Sequence, residues 1–203
     1  MFKALKATFA LILLLFSANV FAAILPDAHS MYRQLNLSDE VTFDKFQKAY
    51  NHFRTHRTGK SVFTLIDYGK PSSEKRFWVI DAAKRKVLFA SYVSHGKNSG
   101  SLYAKTFSNV VNSRQTSIGV FRAAETYYGK HGYSLRLDGL SKGVNDNARQ
   151  RAIVIHGAAY AHPNVIAKTG QLGRSWGCPA LPKYLSKKVI NTIKDGTYIY
   201  AFA

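Results

Sequence analysis

The sequence predicts a β-dominated α+β domain. Three observations lead there: seven short runs rich in β-branched and aromatic residues, two segments with helical apolar spacing, and no repeat, low-complexity tract or Pro/Ser-rich linker. The expected strands cover 62–68, 76–81, 87–94, 117–122, 134–137, 152–156 and 197–202. The short polar link over 82–86 makes the second and third a hairpin.

Before the strands, residues 23–40 are weakly patterned and read as an arm lying on the domain. Phe43, Phe46, Tyr50 and Phe53 then recur at helical spacing, so a helix is expected over 42–55 with Thr42 as its N-cap and the aromatic stripe as core. A second helix is expected over 182–193, with Pro182 near its start. The polar stretch 97–115 is long enough to be a binding loop or lid, and Asn145, Asp146 and Asn147 form a further polar turn.

The N-terminus carries Lys3 and Lys6, an apolar core over 9–16, and small residues ending Val20-Phe21-Ala22-Ala23. That pattern predicts a signal peptide over 1–22 cleaved after Ala22, because the apolar core falls short of the roughly 20 residues a spanning helix needs. No later segment has spanning length, so no integral membrane span is expected after cleavage. The layout is then 1–22 signal, 23–58 arm and helix, and 59–203 the domain proper.

Lys and Arg number 29 against 11 Asp and Glu, a formal charge of +18. Removing Lys3 and Lys6 with the signal leaves 18 − 2 = 16. Such a charge favours anionic surfaces or polymers. Export argues for an envelope polymer and against nucleic acid.

Chemistry concentrates between Arg151 and Pro182. Cys178 is the only cysteine, so in an exported chain it has no intrachain partner and reads as reactive. A thiol attacks carbonyl carbon as thiolate, which calls for a base and for donors to the oxyanion. His156 closes an apolar run and precedes Gly157, where backbone or substrate approaches closely; it is the expected base. The turn around Gly177 and Cys178 is the expected oxyanion cradle.

Arg174 is placed to hold a substrate carboxylate, or is simply an exposed arginine. Trp176 packs on substrate or pins the turn, and Ser175 stabilises it. His95, before Gly96, either lies in the cleft or ties down a loop. His131 and His162 read as surface or loop residues. His156, His162 and Cys178 have irregular spacing with no carboxylate between the first and last, so neither metal nor other cofactor is expected.

The pairs His156-Gly157 and Ser175-Trp176-Gly177-Cys178, the longer run Gly173-Arg174-Ser175-Trp176-Gly177-Cys178-Pro179-Ala180, and the phrases 94–100, 128–133 and 143–148 together resemble the murein L,D-transpeptidases, the YkuD-like family. The resemblance spans about residues 60 to 182. Thr116-Ser117-Ile118-Gly119 is similar to the turn before a core strand in that family. Trp176 stands where most members have a second histidine, and the spacing from His156 to Cys178, 178 − 156 = 22, exceeds the usual loop.

The resemblance implies a mixed β-sheet or sandwich core with a few flanking helices, and an L,D-transpeptidase-like catalytic domain over 59–203. It implies Cys178 as nucleophile, His156 as base oriented by the Gly157 carbonyl, and the turn of Ser175, Trp176 and Gly177 around the oxyanion. Arg174, His95 and Asn145 are the expected substrate contacts. Peptidoglycan stem peptides are the implied donor and acceptor, in the periplasm or envelope. All seven histidines precede Cys178, the reverse of the papain-like and NlpC-type order. Transpeptidation, L,D-carboxypeptidation or other murein hydrolysis, and non-catalytic wall binding stay open at this stage, as does oligomeric state.

Overall fold

A computed structural model describes residues 25–56 and 59–203; the expected signal segment lies outside the described residues. Eight strands form one sheet: β1 (Val62–Asp67), β2 (Phe77–Asp81), β3 (Lys86–Ser91), β4 (Gly119–Gly129), β5 (Gly132–Gly139), β6 (Val154–Ala158), β7 (Ala180–Pro182) and β8 (Tyr198–Phe202). Their order is β3-β2-β1-β8-β4-β5-β6-β7. The sheet is mixed, because β1 pairs parallel with β8 and β6 with β7 while the other neighbours run antiparallel.

Both faces of the sheet are covered, which explains why β2 is buried at all five positions. On one face Phe63 and Leu65 of β1 and Trp78 and Ile80 of β2 pack under α1 (Ala28–Leu35) and α2 (Phe43–His56). Phe46, Tyr50 and Phe53 of α2 are the buried aromatic stripe, and Phe53 stacks on Phe63 at 4.8 Å between centroids. On the other face Ile66, Phe77 and Val79 join Leu135, Leu137 and Ile155 beneath α4 (Lys183–Ile193), whose Val189, Ile190 and Ile193 are buried. Among the described residues no helix is long and apolar enough to cross a membrane.

The hairpin of β2 and β3 forms as expected, with Arg85 at φ 52° in its turn. Four expectations are corrected. The arm contains a real helix, α1, whose N-cap Asp27 accepts from the Ser30 N–H and whose C-cap Asn36 takes the left-handed conformation. The third strand stops at Ser91, and Ser94 and Gly96 instead bridge to Ala180 and Ser175. The fourth starts at Gly119, whose φ of 103° breaks the run, and extends to Gly129. The strand expected over 152–156 begins at Val154, because Ala152 sits at φ 53° in a turn, and it continues to Ala158. The polar stretch after it holds a 3-10 turn (Ala159–Ala161) and α3 (Pro163–Thr169), with Pro163 in the first turn.

Candidate active site

His156 is the central residue of β6 rather than its last, paired with Ser134 on β5 and Ala180 on β7. Gly157 follows because α4 crosses here: an added Cβ would lie 2.5 Å from Ser186 Oγ and 3.2 Å from Lys183 Cα. Its carbonyl lies 3.1 Å from His156 Nδ1. A carbonyl only accepts, so Nδ1 carries the proton and Nε2 keeps its lone pair. Burial, with a smaller contribution from His131, holds the imidazole down to about 4, so it is neutral at neutral pH.

Cys178 ends a turn just ahead of β7. The turn is fastened along its length to residues 94–97: Ser175 N–H donates to the His95 carbonyl at 2.9 Å, Lys97 N–H to the Ser175 carbonyl at 2.8 Å, and Ser94 N–H to the Ala180 carbonyl at 2.9 Å. Ser175 Oγ staples the turn from inside, donating to the Cys178 carbonyl at 2.7 Å and accepting from Gly177 N–H at 3.1 Å. That bond spends the Gly177 N–H within the turn, which removes it from the expected oxyanion pair and leaves the Cys178 N–H. Gly177 has φ 122°, and a Cβ there would meet the Gln115 carbonyl oxygen at 2.7 Å, so glycine is required for shape.

The Cys178 thiol points at the Ala152 carbonyl, 3.6 Å away. Burial pushes it up, opposed by a bond from the Val154 backbone and by the charges of Arg151 and Lys130. Thiol and imidazole are therefore both neutral at rest.

A cleft of about 200 Å³ brings His156, Arg174, Ser175, Trp176 and Cys178 together with Lys130, His131 and Tyr160. Lys130 and His131 form the tip of the β4–β5 hairpin, between the paired Gly129 and Gly132. The His131 ring stacks on His156 with centroids 4.3 Å apart. Trp176 is 62% exposed, and Arg174 is exposed with Nη1 donating to the Gly100 carbonyl at 3.2 Å.

Two expected contacts lie elsewhere. His95 is 1% exposed: Arg76 Nη2 donates to its Nδ1 at 2.7 Å, which places the ring proton on Nε2, 3.3 Å from the Gly100 carbonyl. It thus ties down the 94–97 segment that holds the Cys178 turn. Asn145 is wholly buried, donating to the Val120 carbonyl at 2.9 Å and accepting from Ser141 N–H at 2.8 Å, so its amide is spent on the polar turn. The loop over 97–115 is anchored by Arg151, whose Nη1 bonds Ser108 and Ser117 and whose Nη2 bonds Ser113 Oγ at 3.0 Å and the Gln115 carbonyl at 2.7 Å.

A family model for the L,D-transpeptidase catalytic domain matches residues 36–202. The chain belongs to that family. Similar solved structures include an L,D-transpeptidase from Mycobacterium smegmatis, at 17% identity, covering 72% of this chain and 60% of that one, with TM-score 0.45. Another is from Mycobacterium tuberculosis H37Rv, at 15% identity, 72% and 59% coverage and TM-score 0.45. A third is from Stackebrandtia nassauensis, at 14% identity, 86% and 75% coverage and TM-score 0.43. The chain spans about 60% of the length of the two mycobacterial proteins. No curated protein matches the sequence.

The L,D-transpeptidase domain differs from sequence expectation chiefly at His131, which is indeed in an exposed turn but covers the His156 ring across the cleft. The signal was present: glycines three apart around two residues, between β-like runs, mark a tight hairpin. What that hairpin reaches is not a local property. His162 behaves as expected, its Nδ1 accepting from the Asn164 N–H at 3.1 Å at the start of α3.

Proposed function

We propose that this protein is an acyltransferase of the envelope, using Cys178 as nucleophile and His156 as base on peptidoglycan stem peptides. The observation that carries this reading is the shared cleft of the two residues, with His156 Nδ1 tied to the Gly157 carbonyl so that Nε2 is the basic nitrogen. Because neither group is charged at rest, proton transfer accompanies attack.

Sγ bonds to the carbonyl carbon of the third stem residue as the thiol proton passes to His156 Nε2. The Cys178 N–H and the nearby Lys130 charge support the oxyanion. The carbon–nitrogen bond to the terminal D-alanine then breaks, its nitrogen taking the proton from the imidazolium, and a thioester remains. An amine of a second stem attacks the thioester, loses its proton to His156 and displaces the sulfur, which recovers that proton. Water in place of the amine gives L,D-carboxypeptidation. A non-catalytic wall binder would have no use for the paired thiol and imidazole.

The test is to incubate the purified protein with disaccharide tetrapeptide and follow products by mass spectrometry. Cross-linked dimers support transfer and tripeptide supports carboxypeptidation. Absence of both, or products that persist with Cys178→Ala, refutes the reading. A carbapenem, which mimics the acyl donor, should leave one covalent adduct on Cys178.

A further inference from the structure

A second cavity, of about 280 Å³, also reaches Cys178 and shares Lys130, His131 and Trp176 with the first. Its own walls are Asn112, Arg114, Tyr127, Arg151, Ala152 and Val154. Three of its lining side chains are cationic and none is acidic. Arg114 lies with its Cζ 4.5 Å from the centroid of the Trp176 ring, and Lys130 with its Nζ 5.5 Å from the same centroid. Among the described residues neither cation has an ion pair.

An exposed ring attracts a cation only weakly, and gathering two like charges on one ring opposes that gain. An anion between them removes the repulsion and accepts hydrogen bonds from both. Arg151 supplies charge alone, since both of its terminal nitrogens are bound to the loop over 108–117 and its unpaired Nε is buried without accessible surface. The accessible free donors are therefore those of Arg114 and Lys130, whose charged groups lie over the Trp176 ring.

We infer that Arg114 and Lys130, gathered by Trp176, form a subsite for a carboxylate flanking the scissile bond of the acyl donor. The inference rests on the stem-peptide reading given above. Two carboxylates have that position: the terminal one of the leaving D-alanine, and the side-chain one of diaminopimelate. Either would be drawn toward the cationic cavity while the carbonyl carbon meets Cys178. Held by its leaving residue, a donor would be selected for ending one residue past the cleaved bond. Trp176 thereby gains a specificity role at a position where most relatives carry histidine.

The test uses protein carrying Cys178→Ala, so that binding is measured without turnover or any effect of Lys130 on the thiol. Calorimetry compares stem tetrapeptide with two neutral analogues, one amidated at the C-terminus and one at the diaminopimelate side chain. It is repeated with Arg114→Met and Lys130→Met added, substitutions of exposed residues that keep the aliphatic stems. Loss of the bound carboxylate should weaken binding roughly tenfold, the order expected for a charge-assisted contact. The same loss should change binding less than about twofold once both cations are gone. The analogue that shows this behaviour identifies which carboxylate is held. Amidation that weakens the variant as much as its parent, or that weakens neither, overturns the subsite while leaving the stem-peptide reading intact. Failure of the parent to bind tetrapeptide at all overturns both.

Discussion

The His131 ring lies on the His156 ring at 4.3 Å and 20° from parallel, so His156 is covered by the tip of the β4–β5 hairpin. Burial is the largest cause of the depressed basicity of His156, and the neighbouring His131 adds to it. Since catalysis needs the neutral base, acylation should fall only as pH drops through about 4. His131→Ala uncovers the ring and removes its neighbour, so the acid limb should move up toward the ordinary histidine range. His131→Phe keeps the cover and removes the charge, and should move it less. Carbapenem acylation rates across pH measure this; a limb unmoved in both variants contradicts it.

Thiol reactivity should follow the same logic. Burial raises the Cys178 thiol, and Lys130 partly offsets the rise. Alkylation by iodoacetamide should therefore keep accelerating above the ordinary cysteine range, with no plateau near neutrality. Lys130→Met should push the inflection higher still. A plateau at neutral pH would instead indicate a resting thiolate paired with imidazolium.

Arg76 is fully buried, among the described residues it has no carboxylate partner, and burial holds its guanidinium down to about 10. It donates to the Val93 carbonyl at 2.8 Å, the Lys70 carbonyl at 2.8 Å and His95. Arg76→Leu removes a buried charge but orphans these acceptors, and we expect a net loss of about 2 kcal/mol or more in urea unfolding. Because the His95 carbonyl holds Ser175, the variant should also acylate Cys178 more slowly than its stability loss explains. Unchanged unfolding and acylation would refute a supporting role.

Acid should weaken the fold through the two buried histidines. His95 and His156 are each held to about 4, below the 6.5 of a free histidine, so between those values the unfolded chain binds protons that the native one excludes. Their stabilisation is complete above about pH 6.5 and is lost as pH falls through about 4, roughly 3 kcal/mol for each group. The urea midpoint should thus decline from pH 7 to 4.5, and decline less with His95→Gln. A midpoint independent of pH in that range would count against neutral burial of both rings.

Much of the site was legible because its signals are local. A lone cysteine in a glycine-bounded turn and a histidine followed by glycine after Ile153, Val154 and Ile155 declare their chemistry without coordinates. The first three strands were legible for a similar reason, being rich in residues that favour a pleated surface. Whether Asn145 and His95 meet substrate or tie down loops was not legible, because polar residues beside glycines look alike whether they bind a ligand or satisfy a buried backbone, as both do here. The α1 helix was missed because only Ala28, Met31 and Leu35 of its eight residues are buried, too few to mark a period in a polar stretch.

Residue type and chain order settled which atoms here are capable of nucleophilic attack and proton transfer, since a thiol and an imidazole carry that capacity wherever they lie. Their working state came from the packing. Burial, the Gly157 carbonyl and the His131 ring set the state of His156, while Lys130 and Arg151 set the field beside the sulfur. Such effects depend on distance and on excluded water, and apart from the adjacent Gly157 the groups responsible are tens of residues from the side chains they act on, joined only when the β4–β5 hairpin packs over the Cys178 turn.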